Sequence, residues 1–286
     1  MSISIPDILF RPDTFYENAA KENGGLKNPA LIILAGAIVG ALVAFLITGP
    51  AAQMSDGITP GLGSITIVLS LVGGFIGVFF MWTYLAALFL IISMILRKEV
   101  VAGLNREFIA IVLALGGLVL AILPSVAPKS VTTSAGLLAI VLSLLSLLGI
   151  LAMIVAVFLF LSNDKYQRPL EFVGYGYLPQ VFGSLVTLVL ALEYLPRVTV
   201  PKLTQAAMND PAAITSATNA LMHDPVMVQF TQMSGLVAIV FMLWSAHIWI
   251  YGMQHARGLS MRDAAICVGL PIVLYVIFSI YTIGAL

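Results

Sequence analysis

Residues 29–47, 64–96, 108–126, 135–162, 172–192, 233–253 and 264–286 form seven apolar stretches separated by short polar segments. None of the seven contains Asp, Glu, Lys or Arg, and His247 is the only imidazole inside a stretch. A helix needs ~20 apolar residues to cross the ~30 Å hydrocarbon layer, and each stretch has about that length. Backbone polar groups in lipid must be satisfied internally, by helices or closed barrels. Continuous runs, in place of ten-residue alternating segments, select the helix. The pattern predicts an all-α, polytopic transmembrane bundle of seven spans.

The polar segments supply the rest of the outline. Residues 1–28 form an N-terminal segment, and 29–286 the transmembrane domain. In FRPDTFYENAAKENGG, Pro12 suits a first helical turn, Asp13 and Glu17 suit the positive end of the dipole, and Gly24–Gly25 end the helix. Phe10, Phe15 and Tyr16 would let it rest at the headgroup level. Between the fifth and sixth runs lies a loop of about 193–232. Asp210–Pro211 and Asp224–Pro225 each place an N-cap acid before a first-turn proline. They predict one short helix from Pro211 to about Leu221 and a second, from Pro225, that runs into the sixth span. The second run is long enough to require tilting, a bend at Gly73–Gly74, or projection past the bilayer.

Composition and charge narrow the class. Hydrophobic residues make up 60% of the 286 and charged residues 9%, well below the ~25% of soluble domains. Net charge is zero, so nothing points to nucleic acid. The one cysteine, Cys267, excludes an internal disulfide. Basic residues are uneven: Arg11, Lys21, Lys27, Arg97, Lys98, Arg106, Lys165, Arg168, Arg257 and Arg262 fall on one side of the seven-span map. Lys129, Arg197 and Lys202 fall on the other. Short Lys/Arg-rich loops stay in the cytoplasm, so the N-terminus is expected inside and Leu286 outside.

Polar chemistry collects in two places. Gly174, Gly176 and Pro179 crowd the start of the fifth run, where they kink or loosen a helix. Glu171, Tyr175, Tyr177 and Gln180 flank them, and Gly176, Gln180, Gly183 and Thr187 share one helical face. In the sixth run His247, Tyr251 and His255 stack at i, i+4 and i+8. Trp244 and Trp249 lie off that stripe, as packing or interfacial anchors. A polar seam between these spans either binds a ligand or carries protons, or fixes helix register by mutual hydrogen bonds. Gly36 and Gly40 in the first span, and Gly73 and Gly77 in the second, have the spacing of close helix packing. Motifs for zinc, phosphate-loop or nucleophile-elbow chemistry are absent, so the sequence predicts no enzyme, cofactor or metal.

At these residues the chain resembles the Yip-domain family of polytopic membrane proteins. VGYGYLPQVFGS is similar to that family's Gly-Tyr-x-x-x-Pro signature. Trp244, Trp249, Gly252, Gly258, Ser260 and Ala264 resemble its last helical hairpin, and RPDTFYENA its pre-membrane helix. The likeness is greatest to the compact prokaryotic, archaeal branch. It implies a five-helix core, with residues of about 99–165 as an inserted, peripheral hairpin. Eukaryotic members carry a longer cytoplasmic arm tied to Rab-type GTPase contact; no such arm is expected here, so the resemblance carries GTPase binding over poorly. Two function classes follow: a non-enzymatic scaffold that organises membrane partners, a homo-oligomer or lipid, and a small transporter or lipid channel along the seam. An open polar path past Glu171, Gln180 and His247 would favour the second, and a closed seam the first.

Overall fold

A computed structural model describes residues 4–22, 24–99, 106–126, 137–161, 164–203 and 210–284. These fold into eleven α-helices: α1 (Ile5–Phe10), α2 (Pro12–Lys21), α3 (Lys27–Ile58), α4 (Leu62–Leu96), α5 (Arg106–Val126), α6 (Leu137–Leu161), α7 (Asp164–Tyr175), α8 (Leu178–Tyr194), α9 (Pro211–Met222), α10 (Pro225–Arg257) and α11 (Met261–Gly284). Among the described residues, six segments are long and apolar enough to cross a membrane: Lys27–Ile58, Leu62–Leu96, Ile140–Leu161, Leu178–Arg197, Pro225–Arg257 and Met261–Gly284. Helix α5 lies along α6 as its hairpin partner and accounts for the remaining apolar run. The turn expected around Lys129 lies outside the described residues.

Local chemistry sets the helix ends. Asp210 accepts from the Ala212 and Ala213 N–H groups, and Asp224 from those of Val226 and Met227. Each acid thus caps a helix that opens on proline. As the sequence predicts, α10 runs unbroken from the loop through the sixth span. Gly258 ends it in the left-handed region, where a side chain would be strained. Asp56 Oδ1 accepts from the N–H groups of Gly61 and Gly63, closing the α3–α4 turn. Helix α4 passes Gly73–Gly74 as one continuous helix of 35 residues, roughly 50 Å at ~1.5 Å each.

Small residues decide where α3 and α4 meet. A Cβ on Gly36 would touch Val181 and Val78 at 3.4 and 3.7 Å, and one on Gly40 would touch Val78 at 3.2 Å. On α4 the close approach belongs to Gly74, whose Cβ would lie 2.8 Å from Ala44 and 3.1 Å from the Gly40 carbonyl oxygen. Gly73 and Gly77 have nothing within 4 Å of a built Cβ, so they make no helix contact; the expected register is off by one residue at Gly73. In the α5–α6 hairpin a Cβ on Gly117 would lie 2.7 Å from the Gly149 oxygen. The hairpin packs mainly on itself. It meets the bundle through the Tyr84 hydroxyl, which donates to the Ala114 carbonyl, and through Met153 and Phe160 in the main core.

The basic residues collect at one end of the bundle and hold it together there. Arg257, the last residue of α10, bonds to Glu99 at 2.5 Å and to Ser93 Oγ at 3.2 Å, while Arg97 donates to the Arg257 carbonyl. Lys165 pairs with Glu107 at 3.4 Å. At the same end α1 and α2 dock on α7 and α10. Phe15 and Tyr16 are buried in that contact and Phe10 remains 73% exposed beside Trp244. Phe15 and Tyr16 therefore pack against protein, on the aromatic face that α7 offers, and of the three aromatics expected at the headgroup level only Phe10 stays exposed.

Candidate functional site

The Gly174–Pro179 segment interrupts what would otherwise be one helix. Helix α7 stops at Tyr175, Gly176 and Tyr177 form a turn, and α8 begins at Leu178 with Pro179 in its first turn. A helix end leaves carbonyls without intrahelical donors, and in an apolar setting each needs a partner. Three aromatic side chains from three helices donate to carbonyls along the last turns of α7, and the Phe172 carbonyl also accepts from the Gly176 N–H at 3.2 Å. Trp82 Nε1 of α4 donates to the Leu170 carbonyl at 2.8 Å, and Trp249 Nε1 of α10 to the Val173 carbonyl at 2.8 Å. The Tyr16 hydroxyl of α2 donates to the Phe172 carbonyl at 2.9 Å. Glycine makes room for the two indoles. A Cβ on Gly174 would lie 2.5 Å from Pro29 and 2.9 Å from Trp82 Nε1; one on Gly176 would lie 2.2 Å from Trp249 Cδ1.

Burial raises the Tyr16 phenol well above its ordinary value, with help from nearby Tyr175 and Glu171. It therefore stays protonated and remains a donor at any ordinary pH. The Tyr175 phenol is likewise raised by burial and by Glu171. Glu171, 6% exposed, pairs with Arg168 at 2.7 Å. Arg168 also donates to the carbonyls of Ala19, Ala20 and Glu22, and so closes the C-terminal end of α2. Its guanidinium stacks 5.3 Å over the Phe172 ring. Glu171 and Tyr175 also line a cavity of about 150 Å³ with Ala19, Glu22, Gly25, Lys27 and Asn28.

Deeper in the bundle Gln180 donates to Ser245 Oγ at 3.2 Å. Gly183 faces Phe241 in the next turn, so the Gly176–Gln180–Gly183 face does lie on α10. The residues α10 presents to it are Phe241, Met242, Ser245 and Trp249. His247 is exposed and makes an edge contact with half-buried Tyr251, outside the seam. His255, at the end of the expected stripe, meets Asp13 of α2 at 2.8 Å. Among the ten seam residues expected from sequence, the structure groups Glu171, Gly174, Tyr175, Gly176, Tyr177, Pro179 and Gln180, packs Tyr251 against the cluster of Phe172, Tyr175 and Leu178, and leaves His247 and His255 aside. Selecting on polarity missed Trp82, Trp249, Ser245 and Arg168. The available signal was that a buried indole needs an acceptor, and a segment with two glycines and a proline has carbonyls to give.

A family model described as the Yip1 domain matches residues 103–283, more than half of the chain. The chain belongs to the Yip1 domain family. It is an integral membrane protein of that family, with several membrane-spanning helices. The Yip1 match begins just before α5, so it takes in the hairpin that the resemblance set apart as an insertion, and stops short of α3 and α4. The Gly-Tyr-x-x-x-Pro signature lies inside the Yip1 match, and it is the segment on which α2, α4 and α10 converge. Comparison with curated proteins and with solved structures finds no match.

Proposed function

We propose that this Yip1-domain protein is a non-enzymatic scaffold that organises membrane partners or lipid, with its basic end in the cytoplasm. The observation that carries the reading is the closed seam. Trp82 and Trp249 fill the space beside the α7–α8 break, Gln180 is bonded to Ser245, and the Glu171 carboxylate is bonded to Arg168. A transport path would have to pass these groups, and each is occupied by a protein partner. A second cavity, lined by Thr187, Thr231, Ser234, Tyr275 and Ser279, shares no lining residue with the one at Glu171. Crosslinking in native membranes followed by affinity capture should recover discrete protein or lipid adducts, while purified protein in liposomes should show no solute flux or lipid scrambling above empty vesicles. Flux abolished by Gln180→Leu would overturn the scaffold in favour of the channel.

Orientation has its own test. Single cysteines at Asp56 and Asp210 should react with an impermeant maleimide from outside intact cells, and those at Arg97 and Lys165 only after permeabilisation. Native Cys267 is fully buried and does not interfere. Reaction of positions 56 and 97 from the same side would refute the arrangement, since they lie at opposite ends of the α3–α4 hairpin.

A further inference from the structure

The cavity beside Glu171 lies where the C-terminal end of α2, the N-terminal end of α3 and the side of α7 come together. Helix α3 becomes apolar two residues past Lys27, so the cavity lies at the headgroup layer of the basic end. Its wall is chemically mixed. Glu171 and Tyr175 are buried at its floor; Glu22 and Lys27 are exposed at its mouth, with Asn28 half-buried between. The Glu171 carboxylate is held through Oε2, which accepts from Arg168 at 2.7 Å. The volume far exceeds the ~10–15 Å³ that one water requires.

We propose that this cavity binds a zwitterionic amino-phosphate group of the kind a phosphatidylethanolamine headgroup presents, its primary ammonium on Glu171 and Glu22 and its phosphate on Lys27. The charge balance selects that class. Arg168 neutralises Glu171, leaving one acid and one base, Glu22 and Lys27, at the mouth. A plain anion would meet Glu22 and a plain cation would meet Lys27; a ligand carrying both charges satisfies both. A primary ammonium has three N–H donors for the carboxylate and amide oxygens, whereas a quaternary ammonium has none. The first turn of α3 has no side-chain cap; Pro29 has no N–H and Ala30 donates to Leu26, so the Lys27 and Asn28 N–H groups are the donors it can add for the phosphate. Glycine keeps the entrance clear: a Cβ on Gly24 would lie 2.7 Å from Glu171 Oε2. This inference is independent of the scaffold reading, and its failure would leave the crosslinking result unaffected.

The test is lipid retention. Full-length protein in nanodiscs of equimolar phosphatidylethanolamine and phosphatidylcholine is extracted, and the retained lipids are counted by native mass spectrometry. Retention should favour the ethanolamine lipid roughly tenfold, the difference a charge-assisted hydrogen bond makes. Glu22→Gln combined with Lys27→Gln should bring the ratio close to one. Both side chains are exposed, so the fold is untouched, and an unchanged melting temperature verifies this. Gly25→Leu is a second variant: it lines the cavity, yet nothing lies within 4 Å of its Cβ, so leucine fits the fold and fills the site. Free phosphoethanolamine is the competing arm. If it binds wild type but not Gly25→Leu, while the lipids are retained equally, the chemistry holds and its source is soluble. Equal retention of both lipids with no phosphoethanolamine binding would overturn the proposal, as would a preference that both variants preserve.

Discussion

Gly176→Ala should cost about 2–6 kcal/mol and deplete folded protein from the membrane. The added carbon would lie 2.2 Å from Trp249 Cδ1 and 2.5 Å from Nε1, so the indole must move. Trp249 is fully buried against Phe89 and Tyr177 and has no vacant volume to enter. Overpacking of this kind costs ~1–3 kcal/mol. Displacing the ring also strands the Val173 carbonyl, which adds a further ~1–3 kcal/mol. Gly77→Ala, on a surface with no neighbour within 4 Å, is the control and should change stability by less than ~0.5 kcal/mol. Thermal unfolding in detergent, followed by size-exclusion chromatography, measures both. Equal melting temperatures for Gly176→Ala and wild type would show that the indole seat is not rigid.

The second large effect belongs to Arg168. Replacing it with methionine leaves Glu171 as a buried carboxylate without its counter-ion, and removes the donors to Ala19 and Ala20 at the end of α2. Removing one member of a buried pair costs ~3–5 kcal/mol, much of it the unpaired charge. Arg168 retains 28% of its side-chain exposure, which favours the lower part of that range. Adding Glu171→Gln should recover most of the loss, because the stranded charge is gone. It should not restore the α2 end, so limited proteolysis just after Lys21 should stay faster than in wild type in both variants. If the double variant is no more stable than Arg168→Met alone, the charge argument fails and the α2 carbonyls account for the whole cost.

What sequence reveals here follows from what lipid does to the pattern. The long apolar runs mark the spans because water is absent. Asp210–Pro211 and Asp224–Pro225 mark their helix starts because capping is local chemistry, readable four residues at a time. The basic end is legible for the same reason, as charge in short loops. Which face of a span looks inward is harder. Lipid tails are as apolar as leucine, so the inward face of α10 does not differ in hydrophobicity from the outward one. Choosing the polar stripe selected His247, which is exposed, over Trp249, which the α7–α8 break needs. Gly73 and Gly74 are adjacent and identical, and only the position of Gly40 across the contact decides which is used. The α7–α8 break itself was legible as a place where a helix fails; its three donors were not, because they come from positions 16, 82 and 249.

Those three positions also set an order of assembly on the ribosome. The Tyr16 acceptor, the Phe172 carbonyl, lies 156 positions after it in the chain, and the Asp13 partner, His255, lies 242 later. The N-terminal pair of helices therefore waits through the insertion of α10 before it can seat. Its docking thus follows the synthesis of α10 and couples the N-terminal segment to a span made more than two hundred residues later.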